Sequence, residues 1–283
     1  MLATYHTHSD WSDGQASMDA MIDAAIALGL DAYGVSDHWT LHPDGTIFEW
    51  SMRPDMLGAY LEELEHQQSR VGDQITVIKG LEVDWFPDHG DAIARALEPH
   101  TFDVLIASVH FVGARTVDES PAVWQPLTQA QVDDMHRRYW ELIQEMADSR
   151  LFDVAAHLDL PKKFGFLPAA DLSVEINRAL DAIAASGMVV ELNTAGWFKT
   201  IRDAYPTPDI LRGCRDRDIR VTLSSDAHRP EDITRAFVRG AARLREAGYN
   251  EVARFAQREI TMCPLDDAVR GLDATADVGV DGF

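Results

Sequence analysis

The stretch LATYHTH at residues 2–8 joins an apolar, β-prone run, Leu2–Tyr5, to two closely spaced histidines. Similar short runs that lead into polar residues recur along the chain. Runs of this length between turn signals are typical of buried strands. We therefore predict strands at Leu2–Tyr5, Ala32–Val35, Ile75–Leu81, Phe102–Ala107, Phe152–Ala155, Met188–Leu192 and Ile219–Leu223.

Longer amphipathic segments separate these runs. Ser17 precedes an apolar periodicity and Gly29 follows it, which indicates a capped helix over Ser17–Leu28. Further helices are predicted at Pro54–Val71, Thr128–Asp148, Ser173–Ser186, Thr207–Asp216 and Glu231–Ala247. Strands that alternate with helices pair in parallel through right-handed crossovers, and seven such units favour a barrel over an open sheet. We expect a single α/β domain over residues 1–283, with a tail after about residue 265 that is peripheral or flexible.

The composition excludes several classes of protein. The 283 residues carry a net charge of −22, which disfavours a nucleic-acid surface because phosphates need Lys and Arg. No apolar run approaches the ~20 residues of a membrane helix, and the first residues lack the basic and apolar parts of a signal peptide. Two cysteines cannot form a disulfide framework, which favours a reducing compartment. We expect a cytoplasmic protein without a membrane partner, of open oligomeric state.

Six of the 11 histidines fall at or just beyond the ends of predicted strands. They are His6, His8, His38, His110, His157 and His228. Three acids, Asp13, Glu82 and Asp226, occupy similar positions. The carboxyl ends of parallel barrel strands form the active-site face, so these side chains should converge there.

Taken singly, each of these residues has an ordinary structural explanation. A histidine can be a hydrogen-bonded core residue, and Asp13 can stabilise the turn at Gly14. Together, nine polar groups at one rim would repel and desolvate each other unless cations compensate them. Nine ligands exceed one tetrahedral zinc site and suit two or three cations with open positions.

The motifs together resemble the PHP family, named for polymerase and histidinol phosphatase. They are HTH (6–8), SDG (12–14), SDH (36–38), GLEVD (80–84), SVH (108–110), AHLD (156–159) and SSDAH (224–228). The longer segments HLDLPKKFG (157–165) and ELNTAGWFKT (191–200) are similar to the histidinol-phosphate phosphatase branch. The resemblance implies a distorted (βα)7 TIM-like barrel with a trinuclear metal centre.

The resemblance also implies which residues hold each metal ion. The first ion would take His6, His8, Glu82 and Asp226. The second would take Asp13, His38 and His228, and the third Glu82, His110 and His157. Glu82 would thus bridge two ions, and Glu82, Asp226 and His228 are the residues expected to act in catalysis. The ions would be divalent or of mixed valence. Their identity stays open, since imidazole suits zinc and iron and carboxylates admit manganese.

The substrate implied by this branch is a small phosphorylated metabolite, L-histidinol phosphate of histidine biosynthesis. A hydroxide that bridges the metals would attack its phosphorus. In so acidic a chain, the phosphate needs local cations, and the candidates are Lys162, Lys163, Lys199 and Arg202. Four tryptophans beside the motifs could flank the substrate's imidazole ring or pack in the core: Trp11, Trp39, Trp85 and Trp197.

Other functions stay open at this point. A phosphoesterase of the same family could act on nucleotides or oligonucleotide ends, although the acidic composition disfavours the basic groove of a polymer enzyme. An amidohydrolase-like barrel also begins with His-x-His, but its acid and lysine positions differ. A scaffold without catalytic activity could retain the same ligands.

Overall fold

Seven parallel strands form a nearly closed barrel in the computed structural model, which describes residues 1–272. The strands follow one another around the barrel in chain order as β1 (Ala3–Thr4), β2 (Ala32–Val35), β3 (Thr76–Asp84), β4 (Val104–Ser108), β5 (Val154–Ala155), β6 (Val189–Asn193) and β7 (Val221–Ser224). A parallel bridge between Thr7 and Ala227 links the last strand back to the first. The predicted (βα)7 TIM-like barrel is confirmed.

A helix follows each strand and covers the outside of the barrel. The helices are α1 (Met18–Ala27), α2 (Leu57–Val71), α3 (Gly90–Leu97), α4 (Gln129–Asp148), α5 (Ser173–Ser186), α6 (Pro208–Arg215) and α7 (Phe237–Glu246). The helix α4 begins with a capping box, in which Thr128 and Gln131 satisfy each other's backbone N–H groups. The helix α3 was not predicted.

The barrel interior is apolar at one end and polar at the other. Side chains alternate along a strand, so Ile78, Glu82 and Asp84 share the inward face of β3. Ile78 belongs to an apolar cluster that fills the amino-terminal half of the barrel with Tyr5, Ala32, Val104, Ile106, Val154, Ala156, Val189, Ala253 and Phe255. Glu82 and Asp84, which come later on the same strand, therefore lie at the carboxyl end.

A carboxyl-terminal hairpin, which was not predicted, closes the apolar end of the barrel. Its strands, Glu251–Ala256 and Glu259–Pro264, pair antiparallel around a two-residue turn. Both turn residues, Gln257 and Arg258, have positive φ, as tight hairpin turns require. The ring of Phe255 packs edge-on against Tyr5 with 5.1 Å between centroids. The hairpin thus covers the gap beside the two-residue strand β1.

The predicted helix over Glu231–Ala247 is wrong at its start. Residues Pro230–Asp232 form a separate 3-10 turn, and α7 begins only after Ala236, which has a left-handed φ of 59°. The Thr194 hydroxyl, from the segment after β6, donates to the Arg235 carbonyl at 2.7 Å. This tertiary hydrogen bond occupies a carbonyl that a continuous helix would use.

Part of the expected peripheral tail is packed against the barrel. Residues Asp267–Val269 form a 3-10 turn in which Ala268 is buried, and the amino terminus donates to the Asp267 carbonyl at 3.0 Å. The rest of the tail, residues 273–283, lies outside the described residues. None of the helices within residues 1–272 has the length and apolar character needed to cross a membrane. A single domain over residues 1–283 stays a prediction.

Candidate metal centre

The nine predicted metal ligands converge at the carboxyl end of the barrel. His6, His8 and Asp13 follow β1, His38 follows β2, Glu82 lies near the end of β3, His110 follows β4, His157 follows β5, and Asp226 and His228 follow β7. Parallel strands bring these positions to one rim, although up to 222 residues separate them in the chain, from His6 to His228.

Glu82 lies at the centre of the cluster, with its side chain fully buried. Its Oε2 atom lies 2.5 Å from His38 Nδ1 and 3.2 Å from His6 Nε2. Its Oε1 atom lies 3.0 Å from His157 Nε2 and 3.7 Å from His110 Nε2. His8 Nε2 also lies 3.7 Å from Oε2, so five imidazole rings surround the two oxygens of one buried carboxylate.

The outer part of the cluster is built around His8. Its ring stacks between those of His38 and His228, with 4.2 Å between centroids on each side. Its Nε2 atom lies 3.0 Å from Asp226 Oδ1. Asp13 lies 3.2 Å from His228 Nε2 at the rim, where its side chain is 38% exposed. This half of the cluster therefore faces the barrel mouth.

Glu191 supports the cluster, and the sequence analysis missed it. It lies on β6, is fully buried, and accepts a hydrogen bond from the His157 backbone N–H at 2.8 Å. Its Oε1 atom lies 2.7 Å from His6 Nδ1 and also accepts from the Ser224 hydroxyl. The sequence signal that could have revealed Glu191 is its position inside the apolar run Met188–Leu192. An acid in a buried strand needs a polar or charged partner, which points to a functional cluster.

Two further aspartates hold predicted ligands in place. Asp84 Oδ1 lies 2.9 Å from His110 Nδ1, which directs the His110 Nε2 atom toward Glu82. Asp37 accepts hydrogen bonds from the Ser9 backbone and hydroxyl, each at 2.7 Å, and so fixes the loop that carries Asp13. Histidine ligands usually have such a partner for their second ring nitrogen.

The electrostatics of the cluster keep its carboxylates ionised. Burial by itself would raise the pKa of Glu82, but the charges of His38 and His6 hold that pKa well below its usual value. Burial would lower the pKa of His228, yet its hydrogen bond with Asp13 and the charge of Asp226 raise it to about 9. Burial lowers the pKa of His8 to about 3, with help from neighbouring His38.

These residues fit a set of cations. Among the described residues, the buried ring nitrogens His6 Nε2 and His8 Nδ1 have no hydrogen-bond partner. Four groups of side chains bring their donor atoms within 4.8 Å of one another, and all nine predicted residues belong to at least one group. The groups are His8–Asp13–His38–His228, His6–Glu82–His157, His6–His8–Asp226 and His38–Glu82–His110. Imidazole and carboxylate donors of this kind suit zinc, iron or manganese.

Two of the four predicted substrate cations lie near the cluster. Lys163 Nζ lies 3.0 Å from Asp118 Oδ2, beside a cavity that His38 and His110 also line. Lys199 makes no ion pair with any described residue. Burial lowers the pKa of Lys199, and repulsion from the charge of Lys163 lowers it further.

The other two predicted cations, Lys162 and Arg202, do not line the cavity that Lys163 borders. Lys162 is buried and donates to the Ala204 carbonyl at 2.7 Å, with Asp159 Oδ2 at 3.2 Å. Its ammonium group is therefore engaged within the protein. Arg202 is exposed on the loop after β6, with a φ of 51°.

A cation that was not predicted, Arg235, lies near this face of the barrel. Its guanidinium stacks over the Phe198 ring at 4.0 Å and pairs with Asp232 at 2.9 Å. Burial lowers its pKa, and the charges of Asp232 and then Asp226 oppose that shift. The segment before α7 therefore adds a third positive charge to those of Lys163 and Lys199.

Trp50, which was also not predicted, lines the cavity with Lys163. The predicted Trp39, Trp85 and Trp197 are instead buried in the core. Trp11 packs edge-on against Tyr60. Among the described residues, the tryptophan that borders the histidine cluster is therefore on the loop before α2, at 5.2 Å from the His38 ring.

Comparison with known proteins agrees with this geometry. The sequence model of the PHP domain matches residues 4–195. The chain belongs to the PHP domain family. A Deinococcus radiodurans relative named "probable histidinol-phosphatase" is 34% identical over 229 residues, which cover 81% of this chain and 86% of the relative. A Thermotoga maritima PHP protein of the same name is 25% identical, over 91% of this chain and 97% of its own.

Solved PHP structures share the barrel. The crystal structure of histidinol phosphate phosphatase from Lactococcus lactis, complexed with zinc, L-histidinol and phosphate, superimposes with a TM-score of 0.77 at 22% identity. The superposition covers 92% of this chain and 98% of the Lactococcus lactis chain. The comparisons confirm the expected PHP family and its histidinol-phosphatase branch, and with them the expected enzyme class, a phosphoric monoester hydrolase.

Proposed function

We propose that this chain is a metal-dependent phosphatase that hydrolyses L-histidinol phosphate at a centre of three metal ions. The observation that carries the proposal is the buried Glu82 carboxylate, whose two oxygens lie within 2.5–3.7 Å of imidazole nitrogens from His6, His38, His110 and His157. So many carboxylate oxygens and imidazole nitrogens at short range need positive charge between them, either protons or metal cations. A metal-dependent hydrolase binds its ions with ligand atoms of these types.

The proposed ligand sets follow the family pattern. His6, His8, Glu82 and Asp226 would hold one ion, and the rim residues Asp13, His38 and His228 a second. Glu82 Oε1, which lies 3.0 Å from His157 Nε2 and 3.7 Å from His110 Nε2, would join these two histidines in holding a third, so that Glu82 is shared. Glu191 and Asp84 would orient His6 and His110 through their second ring nitrogens.

The protein's own groups have distinct tasks in phosphate hydrolysis. When bound, such ions polarise phosphate oxygens and activate water as a nucleophile near neutral pH. Lys163 and Lys199 would neutralise and orient the phosphate at the mouth of the barrel. Asp226 and His228 would border the reacting phosphate, because both face the open half of the cluster. Positioning and charge neutralisation would then supply most of the catalysis.

The substrate assignment rests on the relatives. Curated relatives are named histidinol-phosphatases, and the Lactococcus lactis enzyme holds zinc, L-histidinol and phosphate in one crystal. We propose the same small substrate here, with zinc, iron or manganese as the metal. The two free, buried thiols, Cys214 and Cys263, support a cytoplasmic location.

The test is a phosphate-release panel on the purified protein, loaded in turn with zinc, iron or manganese. We expect release from L-histidinol phosphate at a kcat/KM at least tenfold above that for nucleotides, sugar phosphates and oligonucleotide ends. Metal analysis of the same samples should give about three ions per chain. A chelated sample serves as the control and should release no phosphate. Equal rates across the panel, or preference for nucleotides, would contradict the substrate assignment.

A further inference from the structure

A cavity of about 260 Å³ opens beside the histidine cluster. His38 and His110 form its inner side, and Trp50, Asp118 and Lys163 form its walls. Its volume lies just below the usual range of small-molecule sites, about 300–1,000 Å³, and so suits a small metabolite. A substrate whose phosphate lies at the cluster would therefore place the rest of the molecule in this cavity.

The cavity contains an ion pair that no metal site uses. Asp118 Oδ2 lies 3.0 Å from Lys163 Nζ, and their side chains are only 26% and 18% exposed. Asp118 belongs to none of the groups that could hold a metal ion. Burial by itself would raise the pKa of Asp118, but the charges of Lys163 and His110 lower it, so the carboxylate stays ionised.

The proposed substrate carries the same two charges as this pair. L-Histidinol phosphate has an ammonium group on the carbon next to the CH2–O–P ester, so its positive and negative groups lie close together. Such a molecule can insert between Asp118 and Lys163, with phosphate oxygens on the lysine and the ammonium group on the aspartate. Each half-buried charge then keeps an opposite charge beside it, which avoids the cost of an unpaired ion.

The part of the cavity lining formed by Trp50 suits a flat ring. Trp50 contacts the His38 and His110 rings edge-on, with centroids at 5.2 and 5.8 Å. It also lies 5.4 Å from Phe48 and stacks near Phe111 at 6.1 Å, which holds the indole in place. An imidazole, neutral or protonated, packs favourably on an indole face.

We propose that Asp118 is the specificity residue of this enzyme, which binds the substrate ammonium group while Lys163 binds the phosphate and Trp50 covers the ring. This inference rests on the proposed function, since it takes L-histidinol phosphate as the substrate. It assigns substrate recognition to a carboxylate outside the proposed metal-ligand motifs. It also explains how an acidic protein selects a phosphate ester that carries an ammonium group.

The test compares L-histidinol phosphate with the analogue that lacks the amino group and with p-nitrophenyl phosphate. Wild type should prefer L-histidinol phosphate over the analogue. In Asp118→Asn, kcat/KM for L-histidinol phosphate should fall about 10- to 100-fold, since a charged hydrogen bond is lost. The same variant should keep or raise kcat/KM for the other two esters, because Lys163 is then released from its ion pair. A purely structural role for Asp118 would lower all three values together.

Glu119→Gln is the matched control. Glu119 lines the same cavity but accepts from the Thr116 hydroxyl at 2.8 Å, whereas Asp118 pairs with Lys163. The Glu119→Gln substitution removes one negative charge, as Asp118→Asn does, at the next residue in the chain. We expect the preference for the amino substrate to persist in this variant. Unchanged preference in Asp118→Asn, or an equal loss in both variants, would overturn the assignment while L-histidinol phosphate hydrolysis by wild type stands. Failure of wild type to hydrolyse L-histidinol phosphate would instead overturn the proposed function.

Discussion

The Nδ1 atom of His6 lies 2.7 Å from Oε1 of Glu191, a carboxylate that follows it by 185 residues in the chain. This contact fixes the His6 ring so that Nε2 faces Glu82 and Asp226. A ring nitrogen held by a buried carboxylate also makes the opposite nitrogen a more basic ligand. Glu191 thus connects β6, which carries no predicted ligand, to the centre of the cluster.

Replacing Glu191 by Gln should weaken the site without removing a ligand. We expect metal affinity or kcat to fall about 10- to 100-fold, which is usual for such orienting partners. Competition with a chromophoric chelator would measure the affinity. Glu175→Gln, which alters a carboxylate paired with Arg137 on the outside of the barrel, is the control. Equal affinities for wild type and Glu191→Gln would contradict the orienting role.

Replacing Glu82 by Gln should remove more than one ion per chain. A shared ligand serves two proposed ions, so its loss affects both, and activity should fall more than about 100-fold. Elemental analysis of the purified variant checks the metal content against wild type prepared in parallel. Full occupancy in the variant would reject the bridging role.

Replacing Lys199 by Ala should affect the substrate and leave the metals in place. Loss of one charge-assisted contact with phosphate corresponds to about a 10- to 100-fold drop in kcat/KM. Steady-state kinetics and metal analysis together separate the two effects. Lys79→Ala is the control, because Lys79 pairs with Glu65 at the other end of the barrel. Unchanged kinetics in Lys199→Ala would refute the phosphate contact.

Replacing Lys162 by Met should destabilise the fold. The change leaves the buried Asp159 without its cation, and breaking a buried pair costs about 3–5 kcal/mol. Thermal or urea unfolding would measure the loss, and the kcat/KM of the folded variant should change little. A large rise in KM without loss of stability would contradict this structural role and would support Lys162 as a substrate contact.

The two cysteines should resist thiol reagents in the folded protein. Burial raises the pKa of Cys214 to about 12, and the nearby charge of Arg217 offsets only part of that shift. Cys263 is also buried. Because the thiolate is the reactive form, we expect both thiols to react only after unfolding. Rapid labelling of Cys214 in native protein, followed by mass spectrometry, would contradict the packing at α6.

The positions of the strands and the convergence of the nine predicted ligands could be predicted because both depend on local patterns. An apolar run such as Phe102–Ala107 predicts a strand by itself, and a polar residue just after it predicts a position at the rim. Period-two alternation then places His6 and His8, or Asp226 and His228, on one side of the chain. The meeting of nine residues that are distant in sequence could therefore be predicted without knowledge of their contacts.

Other features had no local pattern to reveal them. Asp118 and Trp50 lie on loops, where no periodicity fixes the direction of a side chain, yet both line the same cavity. Lys162 and Lys163 are adjacent, and only packing decides that one is buried against Asp159 while the other reaches the cavity. The start of α7 depends on a hydroxyl from Thr194, some 40 residues earlier in the chain.

The sequence by itself determined the barrel, its polar end and the nine side chains gathered there. These features follow from local patterns, namely apolar strand runs, side-chain alternation and the polar residues just after each strand. Tertiary structure decided which cations are free to meet a phosphate, which carboxylate orients His6, and what shape the adjoining cavity has. Those properties depend on distances between segments far apart in the chain, and only the packed fold sets such distances.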